Sequence, residues 1–262
     1  MVHRRLMLIA ASFVVLSAWS CGRKPAEPPQ GNAVAPSQQQ QPAAPIALPE
    51  PEPKLQREQL ILAVLRAISD DALGRDDAEA QRALKGREFE LRLRFGCPGA
   101  ASSSRSWSYD DKKGVLRARF DADLDAKSVQ ASNLLAKGYE GILGFTIERP
   151  LLLSAGCPSS EFAAATTSVP TIAVAQLFTA DESRVQRPEK SYQITKAVEP
   201  AQKPTEGLDV VIGGQLAELS DGRVIHCAPS DGAPACIIGA KFDRVAIENP
   251  VSGVVLGQWS QW

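Results

Sequence analysis

Nine of the chain's 19 prolines fall between residues 22 and 53, at positions 25, 28, 29, 36, 42, 45, 49, 51 and 53. In that stretch only Val34, Ile46 and Leu48 are large and apolar, and Gln38 to Gln41 add a polar run. Such a segment buries too little surface to offset the entropy of ordering it. A hydrophobic core must therefore come from residues 54–262. Proline biases the segment to polyproline II, in which its 32 residues reach roughly 100 Å at about 3.1 Å each. The expected organisation is thus an N-terminal stretch, a proline- and glutamine-rich spacer, and one β-rich domain.

The N-terminal stretch reads as an export signal. Arg4 and Arg5 precede an apolar run of eleven residues, Leu6 to Leu16. A membrane-spanning helix needs about 20 such residues, so the run fits a cleaved signal peptide over residues 1–20. The following residues, Ser17-Ala18-Trp19-Ser20-Cys21, resemble the lipobox of bacterial lipoproteins. Ser20 and Cys21 match it, whereas Trp19 stands where a small residue is usual. The resemblance implies lipidation at Cys21 and attachment to a membrane through that residue. With Gly22 next, it implies the periplasmic face of the outer membrane. Ala18-x-Ser20 also suits an ordinary signal peptidase, which would leave the protein in the soluble periplasm or secreted. Loss of Arg4 and Arg5 takes the net charge from −1 to −3, and loss of His3 leaves His226 as the one histidine.

Cysteine usage fits this reading. Five cysteines become an even set of four once Cys21 is taken as the anchor. In an oxidising compartment Cys97, Cys157, Cys227 and Cys236 are expected in disulfides, and four cysteines allow three pairings. Cys227 and Cys236 flank a short loop between two strand candidates, which favours Cys227–Cys236 and leaves Cys97–Cys157. The sharper alternative is a metal site of His226, Cys227 and Cys236. It lacks a CxxC pair, so no metal or other cofactor is expected. Gly-Cys-Pro occurs at 96–98 and again at 156–158, which reads as chance plus shared turn chemistry rather than as a repeat of two half-units.

Within residues 54–262, Leu55, Leu60, Ile61, Val64, Leu65 and Ile68 form an apolar stripe and predict a helix over 54–73. A second helix is predicted over 76–85, stopped by Gly86. From there the period changes. Phe89, Leu91, Leu93 and Phe95 alternate with charges, predicting a half-buried strand over 88–95. A hairpin is predicted over 107–120, a short helix over 128–137, and strands over 141–153, 192–198 and 208–212. Residues 171–178 fit strand or helix. Asp221-Gly222 predicts a hairpin over 216–227. A long strand is expected over 236–247, interrupted at Gly239, with Asn249-Pro250 turning the chain into a last strand over 253–259. The fold class is α+β and mostly β, with helices first and then an antiparallel sandwich or partly open barrel.

Chemistry is harder to place. Near-neutral charge argues against nucleic acid, and no GxGxxG or GxxxxGK[ST] supports a nucleotide. No GxSxG or SxxK is present, and a Ser-His-Asp triad would have to use His226. Asp121, Asp123 and Asp125 open like a calcium loop, but Ala126 and Ser132 replace the glycine and glutamate an EF-hand requires. Residues 181–184 read as a polar loop. Trp262 ends the chain like an outer-membrane barrel, yet Ser260 and Gln258 on the same face exclude a lipid-facing strand. With no catalytic residue assigned, the expectation is a tethered periplasmic binding or structural module of the envelope, with an envelope protein or glycan as partner. The alternative is a periplasmic hydrolase using carboxylates or His226.

Overall fold

A computed structural model describes residues 52–98, 104–124, 139–157, 169–185, 191–229 and 233–260. The export signal, Cys21, most of the spacer, the expected helix over 128–137, Asp125 and Trp262 lie outside them. Among the described residues no helix is long and apolar enough to cross a membrane.

The domain begins with a two-residue strand, β1 (Leu55–Gln56), and helix α1 (Arg57–Ala72). The Gln59 side chain accepts a hydrogen bond from the Gln56 amide at 2.9 Å, closing the first turn. The apolar stripe seats Leu60, Ile61, Val64 and Ala67 in the core. Helix α2 (Ala78–Leu84) follows. The chain then changes to strands: β2 (Glu88–Phe95), β3 (Arg105–Asp110), β4 (Val115–Asp121), β5 (Tyr139–Thr146) and β6 (Thr171–Thr179). A short helix, α3 (Ala180–Val185), precedes β7 (Ser191–Ala197), β8 (Leu208–Leu216), β9 (Ile225–Ala228), β10 (Ala235–Glu248) and β11 (Val255–Trp259). The fold is α+β, mostly β and sandwich-like, as expected.

The 14-residue β10 organises the larger sheet. Its first half pairs with β9 and, in parallel, with β6; its second half pairs antiparallel with β8 and β11. Two glycines make this change of partners possible. A Cβ on Gly239 would meet the Ala217 carbonyl oxygen at 2.4 Å, and one on Gly214 would meet that of Lys241 at 2.1 Å. A bulge between Phe242 and Arg244 lies opposite Gly213 and Gly214 and bends the strand. The predicted interruption at Gly239 is therefore a change of neighbours within a continuous strand. β6 proves to be a strand, and β1 pairs with β2 in parallel, so the sheet is mixed.

β3, β4 and β7 form a second, antiparallel sheet. Leu116, Ala118, Phe120 and Tyr192 point from it into the core. Phe120 meets Phe95 and Phe145 at ring distances of 5.1 and 6.0 Å, and Phe145 meets Phe242 at 5.6 Å. Each fully buried Phe contributes about 2–3 kcal/mol by transfer from water. This aromatic chain holds the two layers together.

Three local expectations are corrected. Residues 216–227 are not a hairpin: β8 and β9 lie end to end along β10, and residues 217–224 form an excursion between them. Asp221-Gly222 does make a tight turn, in which the Leu219 amide bonds the Arg223 carbonyl at 2.8 Å. The local turn signal was right, but β10 offers both strands a better partner than they offer each other. The strand expected over 141–153 ends at Thr146, and residues 148–152 turn, with Arg149 at φ +53. The polar loop over 181–184 is instead the helix α3, whose start is capped when Glu182 accepts from the Thr179 amide at 2.9 Å. That backbone hydrogen bond chiefly lowers the Glu182 pKa.

Candidate functional site

The outer face of the three-stranded sheet is a polar surface with a shallow concave shape. Alternation along β4 sends Leu116, Ala118 and Phe120 inward and Arg117 and Arg119 outward. The register places Ser106 and Gln193 on either side of Arg119, and Ser108 and Thr195 on either side of Arg117. These six residues line a shallow depression of about 280 Å³. Arg119 is held by Asp121, its Nε 3.0 and 2.9 Å from the two carboxylate oxygens. Burial opposes ionisation of Asp121, but the hydrogen bonds from Arg119 and Ser191 outweigh it and lower its pKa. Arg117 has no carboxylate partner among the described residues.

A second cavity, about 350 Å³, lies between α1 and α2. Leu62, Ala67, Leu84 and Ile225 give it apolar walls, and Asp77 and Gln81 form its polar end. Gln81 is buried and fully engaged: Oε1 accepts from the Val224 and Ile225 amides at 3.0 and 2.9 Å, and Nε2 donates to Asp77 at 2.8 Å. Arg223 donates to the other side of this node, reaching Asp77 at 2.6 Å. Burial would raise the Asp77 pKa, but the hydrogen bonds from Gln81 and Arg223 prevail and lower it. Every group here serves to fix β9 against α2.

The sequence-derived candidates fall as follows. Cys227 pairs with Cys236 and Cys97 with Cys157, joining positions 9 and 60 residues apart. Both sulfurs needed for the metal reading are thus bonded to one another, which overturns it. The two Gly-Cys-Pro turns meet through the Cys97–Cys157 bond. Asp121 and Asp123 do not converge: Asp121 faces Arg119, whereas Asp123 pairs with Arg105 at 2.7 Å and accepts from the Thr146 amide at 2.8 Å. His226 lies on β9 with Nδ1 2.6 Å from Asp221 Oδ2, and the other Asp221 oxygen accepts from the Arg223 amide at 3.1 Å. The pair therefore clamps the 217–224 excursion to β9. None of the cavities just described is lined by His226.

Four buried or half-buried arginines, Arg57, Arg94, Arg105 and Arg149, were not singled out from sequence. Arg57 could have been. It precedes Leu60, Ile61 and Val64 by three, four and seven residues and so sits on the apolar stripe. Arg105 likewise shares the inward phase of Trp107 and Tyr109. Arg149 carried no such signal, because its position depends on a turn.

No protein-family model, no curated protein sequence and no solved structure matches this chain.

Proposed function

We propose that this protein is an exported binding module, anchored by lipid at Cys21 and held off the membrane by residues 22–53. In this reading the outer face of β3, β4 and β7 takes an anionic glycan of the cell envelope. The observation that carries the compartment is the pair of disulfides, which the reducing cytosol does not sustain. The polar face supports the binding mode. Two guanidinium groups and an array of hydroxyl and amide groups suit a polymer bearing carboxylates and hydroxyls.

Mass spectrometry of the mature N-terminus tests the anchor. A diacyl or triacyl mass on Cys21 is expected, and an unmodified Cys21 or a start elsewhere overturns it. Co-sedimentation with purified envelope glycan tests the face. The double variant Arg117→Ser, Arg119→Ser should weaken binding roughly thirtyfold, since two lost charged hydrogen bonds at about 1 kcal/mol each total about 2 kcal/mol at an exposed site. Equal sedimentation of variant and parent overturns the glycan reading.

A hydrolase is the second reading, and the His226–Asp221 pair favours it. Ser220, which precedes Asp221 in the chain, has a buried hydroxyl with no hydrogen-bond partner among the described residues. Labelling by a fluorophosphonate, abolished in Ser220→Ala and His226→Ala, would establish this reading in place of the first.

A further inference from the structure

Arg57, Arg94, Arg105 and Arg149 converge beneath the 148–152 turn, where all four line one small cavity with Glu148 and all but Arg57 line a second. The cavities measure about 10 and 30 Å³, room for a water molecule or two. Among the described residues the charges do not balance. Arg94 pairs with Asp209 at 2.5 Å, and Arg105 with Asp123 at 2.7 Å. Glu148 is shared between Arg105 at 2.8 Å and Arg149 at 3.5 Å. Arg57 contacts no carboxylate among the described residues. Its Nε donates to the Leu152 carbonyl at 2.9 Å, and its Nη2 to the carbonyls of Glu148 and Arg149 at 2.8 and 3.1 Å. Carbonyl dipoles satisfy those N–H groups without neutralising the charge.

The uncompensated charge is also buried. Arg57 is only 7% exposed and Arg105 only 5%. Desolvation first, and then the charge of Arg149, lowers the Arg57 pKa. Arg149 Nη1 is buried with no hydrogen-bond partner among the described residues. Arg149 is also the one described residue other than glycine at positive φ. A positively charged side chain is thus held in an unfavourable backbone conformation, beside a second guanidinium, with a donor left over.

We propose that the arginine cluster binds a small oxyanion, a carboxylate or phosphate group, between Arg57 and Arg149 Nη1. One anion oxygen takes the water-sized space, and the rest faces the surface, where the Glu148 and Arg149 side chains are 48% and 32% exposed. The planar guanidinium fork suits an oxyanion better than a spherical ion. This site uses different residues from the glycan-binding face and does not depend on it.

The purified full-length chain, titrated with inorganic phosphate, acetate or chloride at constant ionic strength, tests this by calorimetric melting. A saturable rise is expected with phosphate or acetate and not with chloride. It should reach roughly 3–5 °C at ten times the dissociation constant. Phosphate alone or acetate alone would tell which oxyanion group the site prefers. Arg149→Gln should lose the saturable rise while melting without anion no lower than the parent, and Arg149→Lys, which keeps the charge and loses the fork, should weaken it. The absence of a saturable rise, or a rise equal in parent and Arg149→Gln, overturns the site. A linear rise shared by the variant, as general salt exclusion produces, overturns it as well.

Discussion

Two polar nodes lie inside this domain, each close to a disulfide, and they differ in how their charges are met. At the first, beside β9 and the Cys227–Cys236 bond, Gln81 satisfies two strand amides and Asp77 receives both Gln81 and Arg223. At the second, where Cys97 joins the arginines around a small cavity, Arg149 keeps an unused donor and Arg57 has only carbonyl partners among the described residues. A node whose charges are paired one to one, as Asp77 with Arg223, fixes two elements in one arrangement even with Arg223 Nε left without a partner among the described residues. One that leaves a charge over is costly to the fold and is where a ligand can bind. The contrast separates the structural node from the candidate site without appeal to relatives.

That contrast can be broken in order of expected effect. Replacing both Cys97 and Cys157 by Ala should cost about 4 kcal/mol, against about 3 kcal/mol for the Cys227–Cys236 pair, because the longer closed loop restrains the unfolded chain more. Urea unfolding of the two variants measures the difference. Gln81→Leu leaves the Val224 and Ile225 amides without their acceptor and should cost roughly 3 kcal/mol in the same assay. Arg57→Met frees three carbonyl contacts but removes an uncompensated charge, so its cost should be smaller, about 2 kcal/mol. A cost above that of Gln81→Leu would show that the arginine node is as structural as the other.

Acid should act on the charge-paired node. Asp77 has a pKa below its ordinary value, so its contribution is present above the unfolded carboxylate value, about 4, and is lost as pH falls through the folded value. Asp121 and Glu182 are shifted in the same direction and add to this loss. Asp77→Asn should flatten the fall in melting temperature below about pH 4 and leave the neutral-pH slope unchanged. The smallest effect belongs to Arg149→Gly. Relief of the strained backbone and of repulsion with Arg57 opposes the added freedom of the unfolded chain, leaving stability within about 1 kcal/mol of the parent. A loss several times larger would mean that Arg149 supports the turn in ways the contacts do not express.

Much of the fold was legible because it is periodic. The α1 stripe, the alternation in Glu88–Phe95 and the hairpin of β3 and β4 are local patterns, and local patterns survive folding when the core accepts them. The site residues were less legible. His226 and the cysteines drew attention as rare residue types; the two cysteine pairs followed, one from spacing and one from elimination, whereas the Asp221 partner of His226 did not. Arg57 and Arg105 announced themselves only as charges in apolar phase. Arg117 and Arg119 alternate with apolar residues as any exposed strand face does, and only the register sets Ser106, Ser108, Gln193 and Thr195 beside them.

Sequence alone therefore determined the change from helix to strand near Gly86, the pairing of inward and outward residues along each strand, and a cysteine set able to form two bonds. It did so because side-chain period and residue chemistry are properties of neighbours in the chain. Tertiary structure decided which strands meet. It set β8 and β9 end to end along β10 against the strongest local hairpin signal, since one long partner satisfies more backbone than a short turn can. It also brought arginines from α1, β2, β3 and the 148–152 turn to one place. No local rule counts charge across 90 residues of chain, and only the packed core makes the excess matter.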